Sequence, residues 1–442
     1  MTITQKSKLG WPIFIGLSII PAILWAMAFP IQYRFAGDNL SETFSLTVNA
    51  IGQLLGLIGM AMFALNFILS ARLKSVEGFF GGMNRVYIAH HIIGGLSFIL
   101  LLFHPLFLFA KYIPEAGQGA VKFFFLSADQ SVNFGVVSLG LLIIFLVITF
   151  FVKIPYQYWK FTHKFLSLAF FFGALHVAMI PSDVTSVKML QYYMWAVILL
   201  AYGAILYRTI LGALLVPTER FIIEEIVQVT PSIWEIGLKH EKGKAFNFEA
   251  GQFIFIGFPK VNALREVHPF SISGAPNGDR IRVGIKGLGD YTKQLGLLKV
   301  GDVAQVEGPF GRTSYRYYAN KKQIWIAGGI GITPFLGMAR DLKTEDGYEV
   351  DLYFSLVDRT DTPFVSELEE IAKRNPNFHF YPWYSKEVGF LNADAIVTQS
   401  QTVLGKEIFL CGPPPMMKSI KEQFKKYGID PKDIHSEEFS LN

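Results

Sequence analysis

Four histidines lie on two otherwise apolar stretches: His90 and His104, 14 residues apart, and His163 and His176, 13 apart. Neutral imidazole nitrogen on both faces of a haem gives six-coordinate iron suited to one-electron transfer, with no open position for ligand chemistry. At 1.5 Å rise per residue, each pair spans about 20 Å along a helix. That places one histidine near each face of a hydrocarbon core about 30 Å thick. Two such helices side by side would grip two stacked haems. An ionisable group in lipid is costly, so an intramembrane histidine is read first as functional. A bond to a neighbouring helix is the alternative for an isolated one, and two matched pairs favour ligation. His91, beside His90, misses the face of His104 by about 140°, whereas His90 returns to within about 40° of it. The same arithmetic requires a bend or bulge between His163 and His176, expected near Gly173. Pro105, which cannot donate to the carbonyl of Leu101, is expected to disturb the helix just past His104. Gly94, Gly95 and Gly173 suit either a porphyrin face or close helix packing.

The elements that must position these residues follow from composition. The 442 residues are 51% hydrophobic and 17% charged, with mean hydropathy +0.36, too apolar for an ordinary soluble chain. Six segments read as membrane spans: Trp11–Phe29, Leu46–Ser70, Val86–Ala110, Ser131–Val152, Trp159–Ile180 and Met189–Tyr207. The first lacks the small-residue pattern of a cleaved signal. Lys6 and Lys8, then Arg72, Lys74 and Arg85, then Lys153, Lys160 and Lys164 outnumber Arg34, Lys111, Lys122 and Lys188 in the intervening loops. Both termini are therefore expected in the cytoplasm of a multi-pass cell-membrane protein. His90 and His163 then lie near the inner face, and His104 and His176 near the outer. The basic balance belongs to loops beside lipid and implies no nucleic-acid partner. The single Cys411 excludes an intrachain disulfide framework.

The expected organisation is a six-span α-helical bundle over residues 1–215, an antiparallel β-barrel over 216–317 and an α/β domain over 318–442. In the barrel, His268-Pro269-Phe270-Ser271-Ile272-Ser273 sets an aromatic ring beside hydroxyls on alternate residues, able to stack on and bond a flat ring. Gly289-Asp290-Tyr291-Thr292 precedes a helix-like run and suits a phosphate, although loop hydroxyls equally often cap turns. In the third part, an apolar strand runs into Gly328-Gly329-Ile330-Gly331-Ile332-Thr333-Pro334, a loop that lets backbone approach a diphosphate, with Thr333 as the expected N-cap. Arg359 could pair with a 2′-phosphate and favour NADPH, or be a solvated loop arginine.

HPFSIS, GDYT and GGIGITP, in this order after six spans with paired histidines, resemble the ferric reductase/NADPH oxidase family, its soluble half similar to a ferredoxin–NADP reductase module. The resemblance implies FAD held by His268, Pro269, Phe270, Ser271, Ser273 and Thr292, with Ser271 approaching the flavin and Thr292 its diphosphate. It implies NADPH or NADH held by Gly328, Gly329, Gly331, Thr333 and Pro334, with Cys411-Gly412-Pro413 at the nicotinamide end. Phe439 occupies the place of an aromatic over the isoalloxazine, although a terminal phenylalanine also suits plain packing. Two b-type haems would take the four histidines.

Hydride donors give two electrons and haem accepts one, so a flavin must stand between them. The expected reaction carries electrons from cytosolic NAD(P)H through FAD and both haems to an outer acceptor, O2 giving superoxide. A ferric chelate, or an outer quinone or partner protein, is the alternative acceptor; no obligate protein partner is evident. From a different class, the bundle could be a channel or anchor for a tethered flavin reductase. No span carries the regularly spaced arginines of a voltage sensor.

Overall fold

The computed structural model describes residues 9–28, 35, 37–112, 126 and 128–436, and falls into two compact units, Met1–Val216 and Pro217–Asn442. Backbone amides in hydrocarbon have no water to bond, so apolar segments satisfy themselves as helices. Among the described residues, six helical stretches are long and apolar enough to cross a membrane. They are α1 (Gly10–Ala28), α2 (Leu40–Ser70), α3 (Met83–Ala110), α4 (Gln130–Phe151), α5 (Tyr156–Lys164) continued by α6 (Leu166–Met179), and α7 (Lys188–Ile205) with a π turn to Ile210. Helix α2 begins earlier than its apolar run, because the Asn39 side chain accepts from Glu42 N–H and caps the polar first turn.

Helix α3 shows the logic of a span. Ile88, Ile92, Leu96, Ile99 and Phe103 form an exposed apolar stripe fit to face lipid, while Ala89, Ile93 and Ser97 are buried. Its inner face lies close on α2: a Cβ on Gly59 would stand 2.9 Å from Leu101, and Ser97 Oγ donates to Gly59 O at 2.8 Å. Pro105 does not end α3, which runs on to Ala110. The fifth span does break, but at Phe165, between α5 and α6, and not at Gly173. Phe165 N–H bonds the Thr162 carbonyl, a tightened turn just past His163. Gly173 serves packing instead, its α-carbon facing Ser138 Oγ and Met60.

The second unit holds two sheets. Strands β1 (Glu219–Thr230), β2 (Ile233–His240), β3 (Phe253–Gly257), β4 (His268–Ser271), β5 (Arg280–Lys286) and β6 (Val303–Phe310) pair antiparallel in the order β4-β3-β6-β1-β2-β5. A bridge between Ile272 and Val283 joins the two ends into a barrel. Phe221, Ile236, Ile254 and Val283 fill it. The second sheet is parallel, β11-β10-β7-β8-β9, from β7 (Lys322–Gly328), β8 (Glu349–Leu356), β9 (Phe378–Tyr384), β10 (Glu407–Cys411) and β11 (Ile434–Ser436). Helices α8 (Ile332–Asp341), α9 (Val365–Arg374), α10 (Ala393–Ser400) and α11 (Pro414–Lys426) complete this nucleotide lobe. Ile324, Trp325, Ile326 and Ala327 of β7 are fully buried, as a strand covered on both faces requires.

Candidate functional site

In the first unit the four histidines meet across helices. The rings of His90 and His163 are 6.2 Å apart between centres, and those of His104 and His176 are 6.3 Å apart. A metal held between two imidazoles by bonds of about 2 Å, with each ring nitrogen about 1 Å from its ring centre, gives about 6 Å. Both pairs therefore fit a bis-imidazole iron. Among the described residues no group of three or more His, Cys, Asp or Glu is placed to hold a metal ion.

Each ring is anchored through Nδ1, which leaves Nε2 available to a ligand. His104 Nδ1 donates to Gly52 O and His176 Nδ1 to Ser131 O, both at 2.7 Å. His90 Nδ1 lies 3.3 Å from Asn66 O, and His163 Nδ1 lies 3.4 Å from Thr149 Oγ1. Thr149 Oγ1 donates its own proton to Phe145 O, so it meets His163 as an acceptor. Trp159 stacks on His163 at 5.1 Å and donates to Thr149 O.

Two glycines that sequence reasoning missed make the anchors of His104 and His176 geometrically open. Each stands one helical turn beyond the accepting carbonyl: Gly56 after Gly52, and Gly135 after Ser131. A Cβ on Gly56 would come 2.6 Å from His104 Nδ1, and one on Gly135 3.0 Å from His176 Nδ1. His91 is exposed, its ring 5.9 Å from that of His90. Gly94 faces the Asn66 amide, while Gly95 has open space beside it.

In the barrel, β4 pairs with β3 so that Ser271 opposes Phe253 and His268 opposes Ile256. The His268 ring lies 3.9 Å from that of Tyr291, bringing HPFS and GDYT into contact. Thr292 Oγ1 accepts from Leu288 and Gly289 N–H, capping that loop, and a 3₁₀ turn follows rather than an α-helix. Ser273 departs from the expected flavin face. The strand ends at Ser271, and the fully buried Ser273 hydroxyl donates to Glu235 at 2.8 Å.

In the nucleotide lobe, β7 and β10 are neighbours, with Cys411 opposite Ala327, so the glycine loop and the Cys411-Gly412-Pro413 turn leave adjacent strand ends. This is where the chain order of the sheet reverses, the usual place for a nucleotide. Gly329, at φ +55°, needs its freedom, and Gly331 abuts the Cys411 carbonyl where a side chain would collide. Thr333 is not the N-cap. A 3₁₀ turn over Gly329–Gly331 runs straight into α8, so the helix starts at Ile332 and Thr333 Oγ1 donates back to Ile330 O. Pro334 sits in the first turn. Arg359 is bound to Glu387 by 2.8 and 3.0 Å contacts and lies 4.2 Å over Tyr384. Phe439 lies outside the described residues.

Sequence comparison places three family matches along the chain: a ferric reductase like transmembrane component at residues 55–174, an FAD-binding domain at 226–314, and an oxidoreductase NAD-binding domain at 325–422. The chain is 28% identical over 232 residues to the glycine betaine monooxygenase reductase subunit of Chromohalobacter salexigens, covering 49% of this chain and 62% of that one. It is 24% identical over 274 residues to NADPH oxidase 1 of Mus musculus, covering 49% and 44%. It is 28% identical over 148 residues to a superoxide-generating NADPH oxidase heavy chain of Dictyostelium discoideum, covering 29% and 21%. The matches span less than two thirds of these relatives' lengths.

Proposed function

Because the chain belongs to the ferric reductase/NADPH oxidase family, we propose that it oxidises NAD(P)H on the cytoplasmic side of the cell membrane and delivers the electrons singly to O2 on the far side. The balance is one NAD(P)H and two O2 giving NAD(P)⁺, two superoxide ions and one proton. The observation that carries this reading is the double pair of opposed histidines, each ring Nδ1-anchored, at ring separations of 6.2 and 6.3 Å.

Bound FAD supplies the exchange between a two-electron hydride donor and one-electron carriers, and haem iron the one-electron carriage itself. The rest belongs to this chain's own residues. His90 with His163, and His104 with His176, would hold the haem irons, their Nε2 atoms being left for ligation by the Nδ1 contacts. Ser271, Phe270 and His268 line the flavin's place, and Thr292 stiffens the loop beside its diphosphate. Gly328, Gly329 and Gly331 admit the NAD(P)H diphosphate, while Cys411-Gly412-Pro413 receives the nicotinamide. The excess of Lys and Arg in alternate loops supports a cytoplasmic side for this unit and both termini.

Superoxide is favoured by the likeness to the superoxide-generating oxidase of Dictyostelium discoideum, and oxidase activity by the likeness to both oxidase relatives. Ferric-chelate reduction is the second reading, favoured by the transmembrane match. The test is the purified full chain in nanodiscs supplied with NADPH. Haem b absorbance, bound FAD, and cytochrome c reduction suppressed by superoxide dismutase are the expected results. Superoxide-independent trapping of Fe(II) by a chelator selects the second reading. A preparation with neither haem absorbance nor FAD overturns both.

A further inference from the structure

Three residues of α8 at one-turn spacing, Thr333, Gly337 and Arg340, face the barrel. At Gly284 of β5 an added Cβ would stand 2.6 Å from the Thr333 methyl. One on Gly337 would stand 2.6 Å from the Ile272 carbonyl oxygen and 3.3 Å from that of Gly274. Helix and barrel therefore meet backbone to backbone just beyond Ser271.

Arg340 closes this seam. Its Nη1 donates to Ser273 O at 3.0 Å and to Glu235 Oε1 at 2.6 Å, and Nη2 lies 3.3 Å from Glu235 Oε2. On its other side, Nε and Nη2 each reach Glu367 of α9 at 2.7 Å. The same Glu235 accepts from Ser273 Oγ and from Arg282. The Arg340 side chain is 15% exposed and that of Glu235 only 6%.

Burial pushes the Glu235 carboxyl up, but the bonds and charges of Arg340, with Ser273 and Arg282, outweigh it and hold the group below its ordinary value. Buried ion clusters contribute little net stability against apolar packing, and their best-attested use is to specify one arrangement. Here the two things arranged are the nucleotide helix α8, gripped at its last turn, and the end of the HPFSIS stretch.

We propose that the α8 face Thr333–Gly337–Arg340 is a joint that sets the nicotinamide against the flavin, with Arg340 as its positioning residue. This rests on the assignment of those two stretches to NAD(P)H and FAD. Hydride transfer tolerates little displacement, since a misplacement of about 1 Å can cost about a hundredfold in rate. A fork of five donors serving two carboxylates and a carbonyl is a task that an ammonium point charge cannot do.

The experiment mixes the FAD-loaded full chain with NADPH anaerobically and follows flavin absorbance in wild type, Arg340→Lys, Glu235→Gln and Glu367→Gln. In the first two variants the limiting reduction rate falls by about ten- to a hundredfold, while the half-saturating NADPH concentration stays within about twofold. Hydrogen exchange at residues 271–274 and 332–340 rises together in both. Glu367→Gln, which leaves the bonds between barrel and helix in place, loses much less. Equal losses in Glu235→Gln and Glu367→Gln overturn the joint, as does a raised half-saturating concentration at unchanged limiting rate, or loss of FAD from the variants. A wild-type protein that binds no FAD refutes the underlying assignment as well. Unaltered variants of a flavin-loaded, NADPH-reducible protein refute the joint alone.

Discussion

The smallest side chains carry the most specific geometry in the membrane unit. Gly56 and Gly135 clear the path by which His104 and His176 reach carbonyls one turn earlier. Gly56→Val is therefore expected to expel the outer haem, leaving about half the wild-type haem b per chain in a pyridine haemochrome assay, since overpacking a closed contact costs about 1–3 kcal/mol. The histidines were legible from type and spacing alone. The glycines were not, because an apolar helix holds many, and only the neighbouring ring shows which of them are needed. Arg359 teaches the opposite lesson. Its residue type suggested a 2′-phosphate partner or a solvated loop arginine, and in the structure it pairs with Glu387 at the surface. Glu387→Gln should release it and raise the NADPH-over-NADH ratio of kcat/KM by about tenfold, and Arg359→Ala should lower it.

At the scale of elements, hydrophobic pattern located the six spans and both sheets, because burial on one or both faces writes itself into the period of the chain. Boundaries and turns were less legible. The fifth span bends at Phe165 through a tightened turn, and no proline or glycine at that position announces it. Ser273 alternates with Ser271 in sequence, yet the strand stops between them, and a carboxylate 38 residues away claims its hydroxyl. The same carboxylate gives the barrel–helix seam a pH dependence. Glu235 titrates lower in the folded protein than its ordinary 4.5. Its stabilisation is thus complete above that value and is lost as pH falls through the folded one. The thermal midpoint of the FAD-loaded protein should hold above pH 4.5 and drop as pH falls below it, and Glu235→Gln should flatten that drop.

For the whole molecule, the prediction concerns sidedness. On the proposed orientation the nucleotide lobe and both termini face the cytoplasm, so inverted membrane vesicles should oxidise added NADPH at once, and right-side-out vesicles only after permeabilisation. Equal rates in both would remove the orientation and with it the inner and outer labels of the histidine pairs.

Those labels matter because the pairs are not held alike: 2.7 Å bonds to carbonyls at one level, 3.3 and 3.4 Å contacts at the other. A strongly donating imidazole becomes a more basic ligand and favours the ferric ion. On the proposed reading, an outer haem so held would have the lower midpoint potential of the two, and the last internal hop would run uphill. Forward flow would then depend on NAD(P)H keeping the inner level reduced and on the acceptor draining the outer one. A redox titration at the haem bands should resolve two midpoints, and Gly56→Val should abolish the more negative.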